Sequence, residues 1–145
     1  MGYSLHSGRG ASRPWWDAQL VGARIQIATG DAAGTGKGIE ESAAGFHTIQ
    51  AAARETSAYT VLAESYLAQH KAAQARTAIQ RGREAYLTHE FLARMRYRLV
   101  SARVTAATGD RARAAQELRA QLAELESKNW SQPASETRQA LGEVR

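Results

Sequence analysis

The stretch AYTVLAESYLAQHKAAQARTAI, residues Ala58–Ile79, carries the periodicity that decides the fold. Tyr59, Leu62, Ala63 and Tyr66 recur at steps of three and four, the spacing of an apolar stripe along one helix. Gln69, His70 and Lys71 interrupt it, and Ala72, Ala75, Ala78 and Ile79 resume it on a second helix. The unit is a pair of short helices joined by a tight turn.

Toward the amino terminus, Ile39, Ala43, Phe46, Ile49 and Ala53 predict a helix that ends near Thr56-Ser57, with those hydroxyls capping the next one. Before it, GDAAGTGKG (Gly30–Gly38) holds four glycines in nine residues and reads as a loop, since each glycine costs about 1 kcal/mol relative to alanine in a helix. Trp15, Leu20, Ala23 and Ile27 stripe a first helix, with Pro14 in its opening turn, Ser12 as its cap and Thr29-Gly30-Asp31 as its end. Residues 1–12, rich in glycine and serine, are expected to be disordered.

Toward the carboxyl terminus, the second helix of the central pair is expected to reach about Tyr86, and Thr88 is placed to cap a fifth helix. That helix carries Phe91, Leu92, Met95, Leu99, Ala102 and Ala106 and stops at Thr108-Gly109-Asp110. Ala114, Leu118, Leu122 and Leu125 mark a sixth, and Pro133 opens a seventh. No alternating apolar run suggests a strand. The expectation is therefore an all-α domain over residues 13–145, with helix pairs at 14–56, 57–87 and 88–128 and a terminal helix at 133–145.

The helix ends repeat. ARIQIATGD (Ala23–Asp31) and ARVTAATGD (Ala102–Asp110) share six of nine residues. Aligning Gly30, His70 and Gly109 places Ala23, Ala63 and Ala102 at one equivalent position, with Gly142 next, at intervals of 40, 39 and 40 residues. Small residues recurring this way are expected where helices cross closely.

These residues resemble the tetratricopeptide repeat family. Leu62-Ala63, Tyr66 and Ala75 follow that family's order of Leu-Gly, Tyr and Ala, with Ile79 at the large apolar position, while Ala102, Ala114 and Leu118 repeat it more weakly. The interval exceeds the family's usual repeat of about 34 residues, and the chain is also similar to the helical repeat tails of larger bacterial regulators. The resemblance implies a right-handed α-superhelix in which the first helix of each pair lines a concave groove. Carried onto this chain, the groove positions are Arg24, Glu64, Arg103 and Glu143 after each small residue, together with Leu20, Thr60, Leu67, Arg96 and Leu99. The alternating charges are expected either to pair from one repeat to the next or to present arginines to a peptide carboxylate. The function implied is a protein or peptide interaction module without catalysis.

Chemical signatures do not argue otherwise. Counting back from Gly36-Lys37, Asp31 stands where a phosphate-binding loop needs its first glycine and Gly38 where it needs Ser or Thr, so Gly34–Gly38 is not expected to hold a nucleotide. His6, His47, His70 and His89 have no metal-ligand spacing, the chain has no cysteine, and no metal, cofactor or catalytic residue is expected. No apolar run is long enough to cross a bilayer and the amino terminus lacks the apolar core of a signal peptide, so a cytoplasmic chain is expected. Residues 71–119 carry eleven Lys or Arg against four Asp or Glu, which makes a nucleic-acid-associated module the alternative. Helical geometry divides those arginines, Arg94 and Arg98 falling on one side and Arg96 and Arg103 on another.

Overall fold

A computed structural model describes residues 12–145, so the disorder expected of residues 1–12 falls, Ser12 aside, outside the described residues. Seven α-helices follow one another: α1 (Arg13–Ala28), α2 (Gly36–Thr48), α3 (Ala52–Ala68), α4 (Ala72–Arg81), α5 (Phe91–Ala107), α6 (Arg111–Ser127) and α7 (Ser131–Val144). A short 3-10 helix, Glu84–Leu87, stands between α4 and α5, and no strand occurs among the described residues. None of these helices is long and apolar enough to cross a membrane.

One turn ends five of the seven helices. Gly30, Gln50, His70, Gly109 and Asn129 each take a left-handed backbone, with φ of 91, 59, 59, 116 and 57°. In each case the next residue donates its amide to a carbonyl five positions back: Asp31 to Gln26, Ala51 to Phe46, Lys71 to Tyr66, Asp110 to Thr105 and Trp130 to Leu125, at 2.8–3.1 Å. This pairing satisfies carbonyls that the helix end would orphan. Because the residues between helices are few, consecutive helices turn back on one another and pack along their length.

Several expected boundaries move. The stripe through Ile49 and Ala53 conceals the turn at Gln50, so α2 ends at Thr48, and Thr56 and Ser57 lie inside α3 rather than capping it. Gly36, Lys37 and Gly38 form the first turn of α2 instead of a loop. The burial of Ile39, Ala43 and Phe46 offsets the two glycines, and the buried Thr35 anchors the entry through hydrogen bonds to the Ala32 carbonyl and the Ser65 hydroxyl, both at 2.7 Å. Ser12 makes no side-chain cap.

The central pair also ends earlier than expected. α4 stops at Arg81 rather than near Tyr86, because Gly82 turns the chain to extended backbone where Tyr97 and Thr56 leave little room for a side chain. The Tyr97 hydroxyl donates to the Ile79 carbonyl at 3.1 Å across this exit. Thr88 does not cap α5; its hydroxyl donates to the Ala85 carbonyl at 2.6 Å.

The helices form two layers. Each packs on the next, and α1, α3, α5 and α7 also pack on one another in that order, whereas the backbones of α2, α4 and α6 stay apart, with Arg81 of α4 reaching Glu40 of α2 at 3.2 Å. The apolar core runs through the array in clusters, with Val100 and Val104 of α5 joining the core of α1–α4 and Leu99 and Ala102 of the same helix joining that of α6 and α7. Ala23, Ala63 and Ala102 are buried as expected. Gly142 is not: it is exposed, and nothing lies within 4 Å of where its Cβ would stand. The buried face of α7 is formed by Ala134, Thr137, Ala140, Leu141 and Val144, and among the described residues no helix packs over Gly142.

Candidate functional site

The layer of first helices encloses two adjoining clefts. One, of about 740 Å³, is lined by α1, α3, α5 and α7, with Gln121 as its one contribution from α6. The other, of about 600 Å³, is lined only by α1, α3, α5 and α7 and shares Val21, Arg24, Arg96, Leu99 and Glu136 with the first. Volumes of this size fall in the range of ligand pockets.

Of the residues expected to line a groove, Leu20, Arg24, Thr60, Arg96 and Leu99 line the first cleft and Arg24, Glu64, Arg96, Leu99 and Arg103 the second, while Glu143 lines neither. Thr60 donates its hydroxyl to the Thr56 carbonyl of its own helix at 3.0 Å and so offers that proton to no ligand. Leu67 lines neither cleft; it packs against the core of α1–α4, because its place in the last turn of α3 lies past the cleft walls. The apolar lining includes Val21, Ile25 and Leu92, which are 58, 60 and 49% exposed, an exposure that sequence periodicity does not flag.

A second row, charged at three of its four positions, accompanies the expected one. Asp17, Ser57, Arg96 and Glu136 recur at intervals of 40, 39 and 40 and each precedes Arg24, Glu64, Arg103 or Glu143 by seven residues. Seven residues are nearly two helical turns, so both rows lie along the same side of the first helices. Their spacing was present in the sequence, and only Arg96 of this second row had been singled out.

The pairing between the rows is diagonal. Arg103 and Glu143 meet at 3.4 Å, as expected of neighbouring repeats. Glu64, however, accepts from Arg96 at 3.1 Å rather than from Arg24 or Arg103, and Arg96 extends its other nitrogen to within 3.9 Å of Glu136. Arg96 is placed between two carboxylates and its long stem spans both repeats. Arg54 closes the remaining pair with Asp17 at 2.6 Å.

Arg24 is the exception. Among the described residues it is the one cleft-lining arginine with no carboxylate within 4 Å. Burial holds its pKa below the ordinary arginine value, and the neighbouring Arg96 charge adds to this, against the opposing pull of Glu64 and Glu136.

Glu64 sits among Arg96, Arg24 and Arg103, yet burial outweighs their attraction and holds its pKa above the usual 4.5; its Oε1 has no hydrogen-bond partner. The folded protein thus binds this proton more tightly than the unfolded chain does. The associated stability is complete below the ordinary value and is lost as pH rises through the elevated one. Glu64→Gln keeps the neutral shape at every pH. Its melting temperature is expected to match or exceed that of the wild type at pH 7, with the difference shrinking as pH falls toward 4.5. A large loss at pH 7, read by circular dichroism, would show instead that the carboxylate charge holds the three arginines together.

The central arginines outside the clefts are committed locally. Arg98 meets Glu84 at 2.8 Å and Glu124 at 3.7 Å, and the hydrogen bond to Glu84 leads the causes that raise its pKa. Arg94 donates to the Thr88 carbonyl at 2.9 Å and lies over the Phe91 ring. No group of three His, Asp or Glu side chains suited to a metal ion occurs among the described residues. His47 lies against Glu55 at the surface, and His70 occupies a left-handed turn.

Comparison of the chain with protein-family models, with curated proteins and with solved structures finds no match in any of the three.

Proposed function

We propose that this chain is a protein-interaction module of the cytoplasm, a right-handed tetratricopeptide-like array that takes a peptide segment of a partner protein in the groove formed by α1, α3, α5 and α7, without catalysis. The observation that carries this reading is the continuous pair of clefts, in which exposed apolar residues surround an arginine that lacks a counter-ion. The two-layer packing supports the superhelix. First helices whose backbones pack on each other, beneath second helices whose backbones stay apart, suit the inner side of a curve.

The groove fits a segment that sets apolar side chains against Val21, Leu92 and Leu99 and brings a carboxylate to Arg24. Arg24 is exposed, and a carboxylate brought to its guanidinium forms a charge-assisted bond. A nucleic-acid role is less well supported, because Arg96, Arg98 and Arg103 already face carboxylates. Backbone phosphates would have to compete with those pairs.

Selection from a displayed peptide library tests the reading. Ligands are expected to combine apolar residues with an acidic side chain or free carboxyl end, and Arg24→Ala is expected to weaken them by about 10-fold or more. Arg24 holds no ion pair, so the variant should melt as the wild type does. Ligands indifferent to Arg24→Ala, or no ligands beside a steeply salt-dependent affinity for nucleic acid, would defeat the proposal.

A further inference from the structure

The two ends of the array differ. On α7 the side turned away from the core carries Gln132, Ser135, Arg138 and Gln139, a polar surface. On α1 the corresponding side carries Pro14, Ala18, Val21, Ile25 and Ala28, all exposed and spaced by four, three, four and three residues. With Ala23 facing the core, Val21 and Ile25 lie about 160° away from it on either side. The helix is apolar on both faces, a pattern of helices that are covered on both.

The charges flanking this stripe indicate what covers it. Asp17 and Arg24 stand seven residues apart on the same flank, with opposite signs. A copy of α1 lying antiparallel across the stripe sets Asp17 against the second copy's Arg24 and Arg24 against its Asp17 in one arrangement. The same register, to within one or two residues, brings Pro14 beside the second copy's Ala28 and Ala18 beside its Ile25. Residue for residue, each contact occurs twice, as a two-fold interface requires. We infer that the chain self-associates as an antiparallel two-fold dimer through the outer face of α1. The pairing also gives Arg24 the counter-ion that it lacks within one chain, and Asp17, already bridged to Arg54, accepts a second guanidinium.

One helix face is a small interface, so the dimer is expected to be weak, with sedimentation velocity on the full chain showing reversible dimerisation between about 5 and about 500 µM. Ala18 is exposed and lines neither cleft, so Ala18→Glu leaves the groove intact. It is expected to weaken self-association by about 10-fold or more without lowering the melting temperature. Asp17→Arg and Arg24→Asp each oppose like charges in their own dimers, yet their mixture pairs basic flanks with acidic ones and is expected to regain the wild-type affinity. A chain that stays monomeric throughout, a dimer indifferent to Ala18→Glu, or a mixture no tighter than its separate components would each overturn the inference. The readout contains no peptide, so failure of the groove reading leaves it untouched.

Discussion

Replacing Gly45 by alanine is expected to lower the free energy of unfolding by about 2–3 kcal/mol, although the same change in an ordinary exposed helix raises it by about 1 kcal/mol. Gly45 lies inside α2, and the six-membered part of the Trp16 indole from α1 occupies the space a Cβ would need. The indole also packs edge-to-face on Phe46, with centroids 5.6 Å apart and planes at 74°. A methyl group at Gly45 therefore drives the ring off both residues. The loss of aromatic burial and of the Phe46 contact outweighs the gain in helix propensity. Chemical denaturation of a double-mutant cycle separates the two terms. In a Trp16→Ala background the ring is gone and Gly45→Ala is expected to stabilise; if it stabilises in the wild type as well, the indole does not rest on Gly45.

Leucine in place of Ala63 is expected to cost about 2 kcal/mol, whereas alanine in place of Gly142 is expected to add about 0.5–1 kcal/mol. The repeat register treats these positions as equivalent, so the opposite signs are informative. Ala63 is fully buried in the core that α1–α4 share with α5, and a larger side chain must displace helices on either side. Gly142 lies within α7, exposed, with open space where its Cβ would be, so only the backbone entropy of glycine enters. In a urea series the two variants are expected to move the midpoint in opposite directions, Ala63→Leu by the larger amount, with the slope unchanged. A destabilising Gly142→Ala would mean that a further element covers α7 in solution.

Much of the architecture was legible in the chain. The number of helices, the turns at Gly30, His70 and Gly109, and the burial of Ala23, Ala63 and Ala102 follow from apolar spacing and from the repeated ATGD. The turn at Gln50 was not, because a non-glycine residue in the left-handed region looks like any helical residue when the apolar spacing runs past it. At Gln50 the apolar spacing runs on through Ile49 to Ala53, so the boundary between the two helices reads near Thr56-Ser57 instead of at Gln50. Among the cleft residues, Arg24, Glu64, Arg96 and Arg103 could be placed by register. Gln121 could not, since it belongs to α6 and enters the first cleft only where α6 packs beside α5 and α7, its amide held by the Met95 carbonyl and the Thr137 hydroxyl at 3.1 and 3.2 Å.

By itself the sequence determined that the chain is helical, where most helices turn, and which positions recur along the array. Helical period and turn chemistry act between residues a few positions apart, and such local preferences are written directly in the order of side chains. The tertiary structure alone decided that Trp16 claims the space beside Gly45, that Glu64 pairs with Arg96 rather than with its register neighbours, and that α1 keeps an apolar face where α7 ends polar. Those outcomes depend on the reach of long side chains and on the crossing of helices tens of residues apart in the chain. A one-dimensional period contains neither distance.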